Sequence, residues 1–295
     1  MRSDAAVLAG SHARSRDFVA LAKPRLNLLV VASTLVGYAM ADGESLGVLR
    51  VAGLLLGTGL VAGGASAFNQ VVERDLDALM KRTRLRPLPD QRLQPIEGLL
   101  FGSAMTLAGL LMILMSANLL AAAVALATLL CYVVVYTPLK RRSSLGTVIG
   151  AIPGALPPVI GWAASSGALP PQAWTLFGIM FLWQLPHFLA IAWMYRDDYA
   201  RAGFPMLPVL EPDGRSTGRQ SVLYAAALVP LSLAPTLMRM AGEAYFAGAL
   251  VLGLAFVWLT LRFARTRSAG DARRVFFGSI VYLPLLWILM IANKT

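Results

Sequence analysis

Asn69-Gln-Val-Val-Glu73-Arg-Asp75-Leu-Asp77-Ala-Leu-Met-Lys81-Arg82-Thr83-Arg84-Leu-Arg86-Pro87-Leu-Pro89 stands between two long apolar stretches. Carboxylates at 73, 75 and 77 sit beside cations at 74, 81, 82, 84 and 86. Charge is expensive near a bilayer, so such density at a membrane boundary needs a reason. On a helix, steps of four residues advance about 400°, which puts Asn69, Glu73 and Asp77 within roughly 80° of one face. They climb that face at about 6 Å per step. A carboxamide and two carboxylates in a line can hold a hard divalent cation, and neighbouring cations can hold phosphate oxygens. The plainer alternative is an interfacial helix end whose acids only pair with loop charges. Asp75 points about 200° away from Glu73 and suits a loop arginine as well as a metal.

Working outward, the rest of the chain reads as membrane. Of 295 residues, 57% are hydrophobic and 14% charged, far from a soluble domain's balance. Apolar segments lie near 26–42, 46–68, 98–116, 118–138, 145–165, 173–194, 221–238, 244–261 and 275–292. Each has about the 17–25 residues that cross the hydrocarbon core. No alternating pattern of a membrane β-barrel is present. The expectation is all-α: a polytopic membrane protein with nine transmembrane helices around a central cavity. Residues 1–17 are expected as a flexible cytoplasmic tail and 18–295 as one membrane domain.

Orientation follows from the 26 Lys and Arg. All but Arg50, Arg239 and Lys294 fall in the N-terminal tail or in the loops after even-numbered spans. The positive-inside rule then makes the N-terminus cytoplasmic and, after nine spans, the C-terminus external. This explains most of the net charge of +11 and argues against nucleic acid as a partner, since the cations are spread over membrane loops. The first tail lacks the apolar core and cleavage site of a signal peptide. The single Cys131 excludes an intrachain disulfide and a cysteine metal cluster.

A second polar cluster runs Trp183-Gln-Leu-Pro186-His187-Phe-Leu-Ala-Ile-Ala-Trp193-Met-Tyr195-Arg196-Asp197-Asp198-Tyr199. If the helix is continuous, His187 and Asp198 lie within roughly 20° of each other and about 16 Å apart along the axis, with His187 deeper. Pro186 can kink that helix. Asp197 and Asp198 can complete a metal site with Asn69, Glu73 and Asp77 if spans 2 and 6 face each other, or can be solvated loop acids. Lys140, Arg141 and Arg142 can be topology charges or diphosphate contacts. His187 can be a satisfied buried histidine or a working group.

Asn-x3-acid-x3-Asp followed by Lys-Arg-Thr-x-x-Arg-Pro-Leu, with a second Asp-rich loop, resembles the intramembrane UbiA-type prenyltransferases. That family is nine-helix enzymes that ionise a prenyl diphosphate with Mg²⁺ and alkylate an acceptor. Tyr136-Thr-Pro-Leu-Lys140-Arg141-Arg142-Ser, Trp183-Gln-Leu-Pro-His187-Phe and Asp197-Asp198-Tyr-x-x-Ala-Gly-Phe-Pro-Met-Leu-Pro look like its haem-directed farnesyltransferase branch. The resemblance implies Mg²⁺ at Asn69, Glu73, Asp77, Asp197 and Asp198, and diphosphate at Arg82, Arg86, Lys140, Arg141 and Arg196. It implies farnesyl diphosphate and haem b as substrates, haem O as product, and chemistry at Asn69, Glu73, Asp77 and His187. His187 would ligate the haem iron or guide the water that completes the reaction. The implied setting is the inner (cytoplasmic) membrane, beside terminal-oxidase or haem A synthesis proteins. Two departures stand out: the usual central Asp of the first motif is Glu73, and the quinone-type relatives' intramembrane Asp is absent near His187. A quinone-precursor prenyltransferase and an ion-coupled transporter are the rival readings. The His187 string opposes the first, and the Lys-Arg-Thr-x-x-Arg cluster is not required by the second.

Overall fold

The computed structural model describes residues 14–41, 43 and 46–295. Two helices open it, α1 (Arg14–Ala22) and α2 (Pro24–Met40), bent by 41° at Lys23. A proline disfavours the helical region for the residue before it, and Lys23 escapes into the left-handed region at φ 47°. The expected tail over 1–17 is thus corrected at its end. Residues 1–13 lie outside the described residues, and residues 14–22 are already helical.

Next come α3 (Gly47–Asp77), α4 (Pro95–Ser116) and α5 (Leu119–Leu130). A π-helical turn, Cys131–Tyr136, leads from α5 into the short α6 (Thr137–Leu139). Pro138 accounts for that turn. It has no N–H to give Val134 and its ring crowds that carbonyl, so the backbone widens and Thr137 N–H reaches back five residues to Tyr132 O. One bent span follows as α7 (Gly146–Ala155) and α8 (Pro157–Ser166), then α9 (Pro171–Met194). On the same side as α6 lie α10 (Arg196–Arg201) and α11 (Leu207–Leu210), before the last spans α12 (Arg215–Leu237), α13 (Glu243–Thr266) and α14 (Ala269–Ala292).

Eight helices among the described residues are long and apolar enough to cross a membrane, and nine when the bent pair α1–α2 is taken as one span. The expected spans are all found, but several helices run further than their apolar segments. α3 reaches Asp77, and α12 and α14 begin six residues early, at 215 and 269. Apolarity marks where a helix meets lipid, whereas backbone hydrogen bonding continues into water.

Between apolar helices in lipid, close approach replaces hydrophobic drive, and small residues permit it. On α3 and α4, Gly57 and Gly109 each lie against the other's carbonyl, at 2.8 and 2.6 Å from where a Cβ would stand. On α2 and α8, a Cβ at Gly37 would fall 1.8 Å from Pro158 O, and one at Gly161 1.9 Å from Thr34 O. Leucines such as Leu100, Leu107 and Leu119 face outward instead. α9 sits at the heart of the second half, burying Leu176, Ile179, Trp183 and Ala190 against α12 and α14.

Candidate active site

Asn69, Glu73 and Asp77 occupy the C-terminal end of α3, each no more than 3% exposed. Asn69 Nδ2 donates to Thr137 Oγ1 over 3.3 Å, and that hydroxyl donates to Tyr132 O within the π turn. Lys140 Nζ lies 2.6 Å from Glu73 Oε1 and donates to Oε2 over 2.8 Å. Arg86 Nη1 donates to Asp77 Oδ2 over 2.6 Å. Two buried carboxylates on one helix are therefore each neutralised by a cation from a different loop. Buried ions persist only when paired in this way.

The loop after α3 folds back because Thr83 Oγ1 donates to Asp77 O at 2.8 Å, which turns Arg86 towards Asp77. The same loop meets the second acidic cluster. Arg82 N donates to Asp198 Oδ2 at 3.4 Å, across 116 residues of sequence. Met80, Ala202 and Phe204 pack beneath this junction. The structure thus ties the loop that follows the first acidic motif to Asp198 of the second, at one end of the bundle.

Lys140 lies just past the end of its span. Burial works against its charge, but Tyr136 and Glu73 more than offset this, so the ammonium is held above the ordinary lysine range. Its Nζ also stands 5.4 Å above the Tyr136 ring and 5.2 Å above Phe204. A cation so placed can move between a carboxylate and an incoming diphosphate without losing its aromatic shelf.

Other expected residues stay outside. Asp197 has an 88% exposed side chain whose nearest cation is Arg196, at 3.8 Å, whereas Asp198 is buried and paired with Arg201. Arg196 lies over Trp193 and Arg141 points to the surface, so neither reaches Glu73 or Asp77. Asp75 is 73% exposed beside Arg74. The condition of a continuous helix from His187 to Asp198 is not met: α9 runs through Pro186 and ends at Met194, capped by Tyr195 with ψ 21°. The break turns Asp198 towards Arg82.

A cavity of about 370 Å³ runs below the cluster between α2, α3, α5, α7, α8 and α9. Lys23, Tyr132, Tyr136 and Tyr199 line its polar end, while Val61, Leu129, Ile160 and Phe188 line its apolar body. Asn69 and Asp77 are not on its wall. Along α3 its wall ends at Ser66, one turn before Asn69, while Tyr136 and Tyr199 line it from other elements. Leu26 lines the cavity and is 69% exposed, so the chamber opens outward beside α2. His187 does not line the cavity; it faces α14. Lys23, in sequence only one of the topology charges, shares the field of Glu73, Asp77, Arg86 and Lys140. A lysine abutting Pro24 at the start of an apolar run was the available signal.

The donor set suits a hard cation: every candidate atom is oxygen. Glu73 Oε1 is buried and makes no hydrogen bond, with the Lys140 ammonium 2.6 Å away as its ion-pair partner. Among the described residues no three acidic, histidine or cysteine side chains converge on one point. That fits Mg²⁺, which is commonly held by one or two carboxylates together with substrate phosphates.

The chain is similar to known proteins in sequence and in fold. Residues 30–283 match the UbiA prenyltransferase family. The chain is 46% identical over 288 residues to the protoheme IX farnesyltransferase of Solibacter usitatus, covering 95% of this chain and 99% of the relative. It is 44% identical over 290 residues to that of Koribacter versatilis, covering 95% and 94%. Among solved structures, a UbiA homolog from Aeropyrum pernix K1 superposes with TM-score 0.75 at 18% identity, covering 92% of this chain and 98% of that one. A UbiA homolog from Archaeoglobus fulgidus bound to GPP and Mg²⁺ gives TM-score 0.65 at 17% identity, covering 94% and 99%.

Proposed function

The chain belongs to the UbiA prenyltransferase family, and from that premise we propose that it transfers the farnesyl group of farnesyl diphosphate to a vinyl group of haem b. Water adds in the same reaction, giving haem O and diphosphate. The observation that carries the reading is the junction of Glu73, Asp77 and Asp198 with Lys140, Arg82 and Arg86 above an apolar cavity. The acceptor rests on relatives named protoheme IX farnesyltransferase, matched over 95% of the chain.

Glu73 and Asp77, with the Asn69 carboxamide, would hold Mg²⁺ together with diphosphate oxygens, and Asp198 would steady the Arg82 loop beside them. When bound, the ion neutralises the diphosphate leaving group. Lys140 and Arg86 exchange their carboxylates for diphosphate oxygens and stabilise the charge that grows there. The C1–O bond of the farnesyl group breaks and its electron pair leaves with pyrophosphate. The faces of Tyr132 and Tyr136 border the developing allylic cation, and the cavity's apolar body keeps bulk water from quenching it. The terminal vinyl carbon then bonds to farnesyl C1, leaving a cation beside the porphyrin. One water captures it and releases a proton, completing the hydroxyethylfarnesyl group.

The distribution of Lys and Arg supports a cytoplasmic N-terminus and an external C-terminus, with the diphosphate site facing the cytoplasm of the inner membrane. An apolar haem product favours hand-over to a terminal-oxidase or haem A synthesis protein by contact, which co-purification from native membranes tests. The decisive assay for the reaction is turnover of labelled farnesyl diphosphate by the purified protein. Haem O formed from haem b supports the proposal. Prenylation of a small aromatic acid, with haem untouched, overturns it.

A further inference from the structure

Three glycines of α7, Gly146, Gly150 and Gly154, repeat every four residues and so follow one face at steps of about 6 Å. A different group presses on each. Lys140 Cα stands 2.6 Å from where a Cβ of Gly146 would be, Tyr136 Cε2 2.4 Å from that of Gly150, and Gln184 Oε1 2.3 Å from that of Gly154. Along α7 the face thus carries the lysine that pairs with Glu73, then a tyrosine ring, then a carboxamide oxygen. Gly150, Tyr136, Gly154 and Gln184 all line the cavity. Gln184 is 3% exposed, and its Nε2 donates to Ala151 O at 2.9 Å and to Met180 O at 3.1 Å. Two carbonyl neighbours admit only the NH₂ end of the amide, so the oxygen is the atom turned to Gly154. Among the described residues nothing donates to that oxygen.

A buried acceptor without a donor is costly, and each such group needs a reason. Here a ligand can supply the hydrogen, because Gln184 stands on the wall of the cavity. A farnesyl chain carries no donor, a vinyl group carries none, and ionised propionates only accept. The one reactant able to donate is the water that completes the reaction, and after it the hydroxyl that this water becomes. The placing agrees. Lys140 marks the diphosphate end of the α7 face, the Tyr136 ring borders farnesyl C1, and Gln184 Oε1 lies about 6 Å further from the diphosphate. The cation left by vinyl attack is two bonds beyond C1, with the capturing water beside it. A chamber that shuts out bulk water needs a defined seat for the molecule it does admit, and a buried water is held by polar partners.

We propose that Gln184 Oε1 holds the water that captures the cation beside the porphyrin. The assignment rests on the haem reading above. A lone pair of the water forms the C–O bond, Oε1 accepts one of its hydrogens, and the proton it loses passes to the released diphosphate. Without that water the same cation sheds a proton from the neighbouring CH₂ and ends as an alkene, lighter than haem O by one water. The test gives full-length protein in detergent haem b and farnesyl diphosphate, resolves the two porphyrin products by mass spectrometry, and measures binding of both substrates. Gln184→Leu should lower the ratio of hydroxylated to alkene product by roughly 10-fold, the scale of one lost hydrogen bond, with both substrates bound as in wild type. Gln184→Glu keeps an oxygen at the same reach and should restore most of the ratio. Gly154→Ala drives a methyl against Oε1 while Gln184 stays in place, so it should shift the ratio the same way, and it decides the matter where Gln184→Leu does not fold. Wild-type product composition in Gly154→Ala, or in folded Gln184→Leu, overturns the assignment. So does weaker haem b binding with an unmoved product ratio, which marks Oε1 as the partner of a protonated propionate. Failure of the functional reading registers separately, as wild-type protein that makes neither porphyrin.

Discussion

Replacing Lys140 with Met should separate folding from chemistry at the Glu73 pair. The lysine side chain is 14% exposed and the carboxylate 3%, with Nζ 2.6 Å from one oxygen and 2.8 Å from the other. Lys140→Met leaves Glu73 charged, buried and without its cation, a loss of about 3–5 kcal/mol. At roughly 2 °C per kcal/mol for a chain of this size class, unfolding in detergent should fall by about 6–10 °C. Adding Glu73→Gln removes the stranded charge, and replacing both partners of a buried pair is often close to neutral. The double variant should therefore recover most of the lost stability. Turnover should follow a different course. If Lys140 meets the diphosphate in the transition state, its loss costs ~10²–10³-fold in rate, and Glu73→Gln cannot return it. Thermal unfolding of wild type, both single variants and the double gives the coupling energy, and labelled turnover gives the rate. A coupling below about 0.5 kcal/mol, the level of independent sites, would refute the buried pair. Turnover restored by the double variant would refute the role of Lys140 at the diphosphate.

Asp77→Ala should abolish transfer in saturating Mg²⁺ while costing less stability than Lys140→Met, because the abandoned Arg86 is 25% exposed and can reach water; turnover and melting of one preparation check both. Glu73→Asp keeps the charge but shortens its reach, so partial turnover is expected, with a raised Mg²⁺ requirement on titration. Asp198→Asn should slow transfer by at least ~10-fold, about 1.4 kcal/mol, whereas Asp197→Asn should stay within about 2-fold, since only Asp198 joins the cluster. Chelation of divalent ions should remove farnesyl diphosphate binding, measured by calorimetry, and Mg²⁺ should restore it; binding that survives chelation would show that Lys140 and Arg86 hold the diphosphate unaided.

The spans were readable because apolar length and loop charge are written directly in the chain. So was the acidic face of α3, since charge at a membrane boundary is rare and the spacing of four is helical. Other features depended on partners distant in sequence. Nothing in Tyr195-Arg196-Asp197-Asp198 stops a helix, neither glycine nor proline, yet α9 ends there and Asp198 swings to Arg82. Helical period also gives spacing without azimuth. It told which residues share a face with His187, but not that the face belongs to α14 rather than to the cavity. Lys140 read as one of three similar loop cations. Its selection follows from the π turn that Pro138 imposes and from a carboxylate 67 residues earlier.

The opening at Leu26 bears on how this protein must be measured. A chamber rimmed by an exposed leucine beside α2 admits a polyisoprenoid tail, and releases a farnesylated porphyrin, without either crossing water. For such a catalyst, concentration means amount per area of membrane. Diluting a vesicle suspension with buffer would leave the reaction velocity per protein unchanged, whereas adding empty lipid to the same vesicles would slow it. Apparent affinities for the haem and for its product would scale with the lipid-to-protein ratio, and two laboratories using different detergents would report different constants for one and the same site.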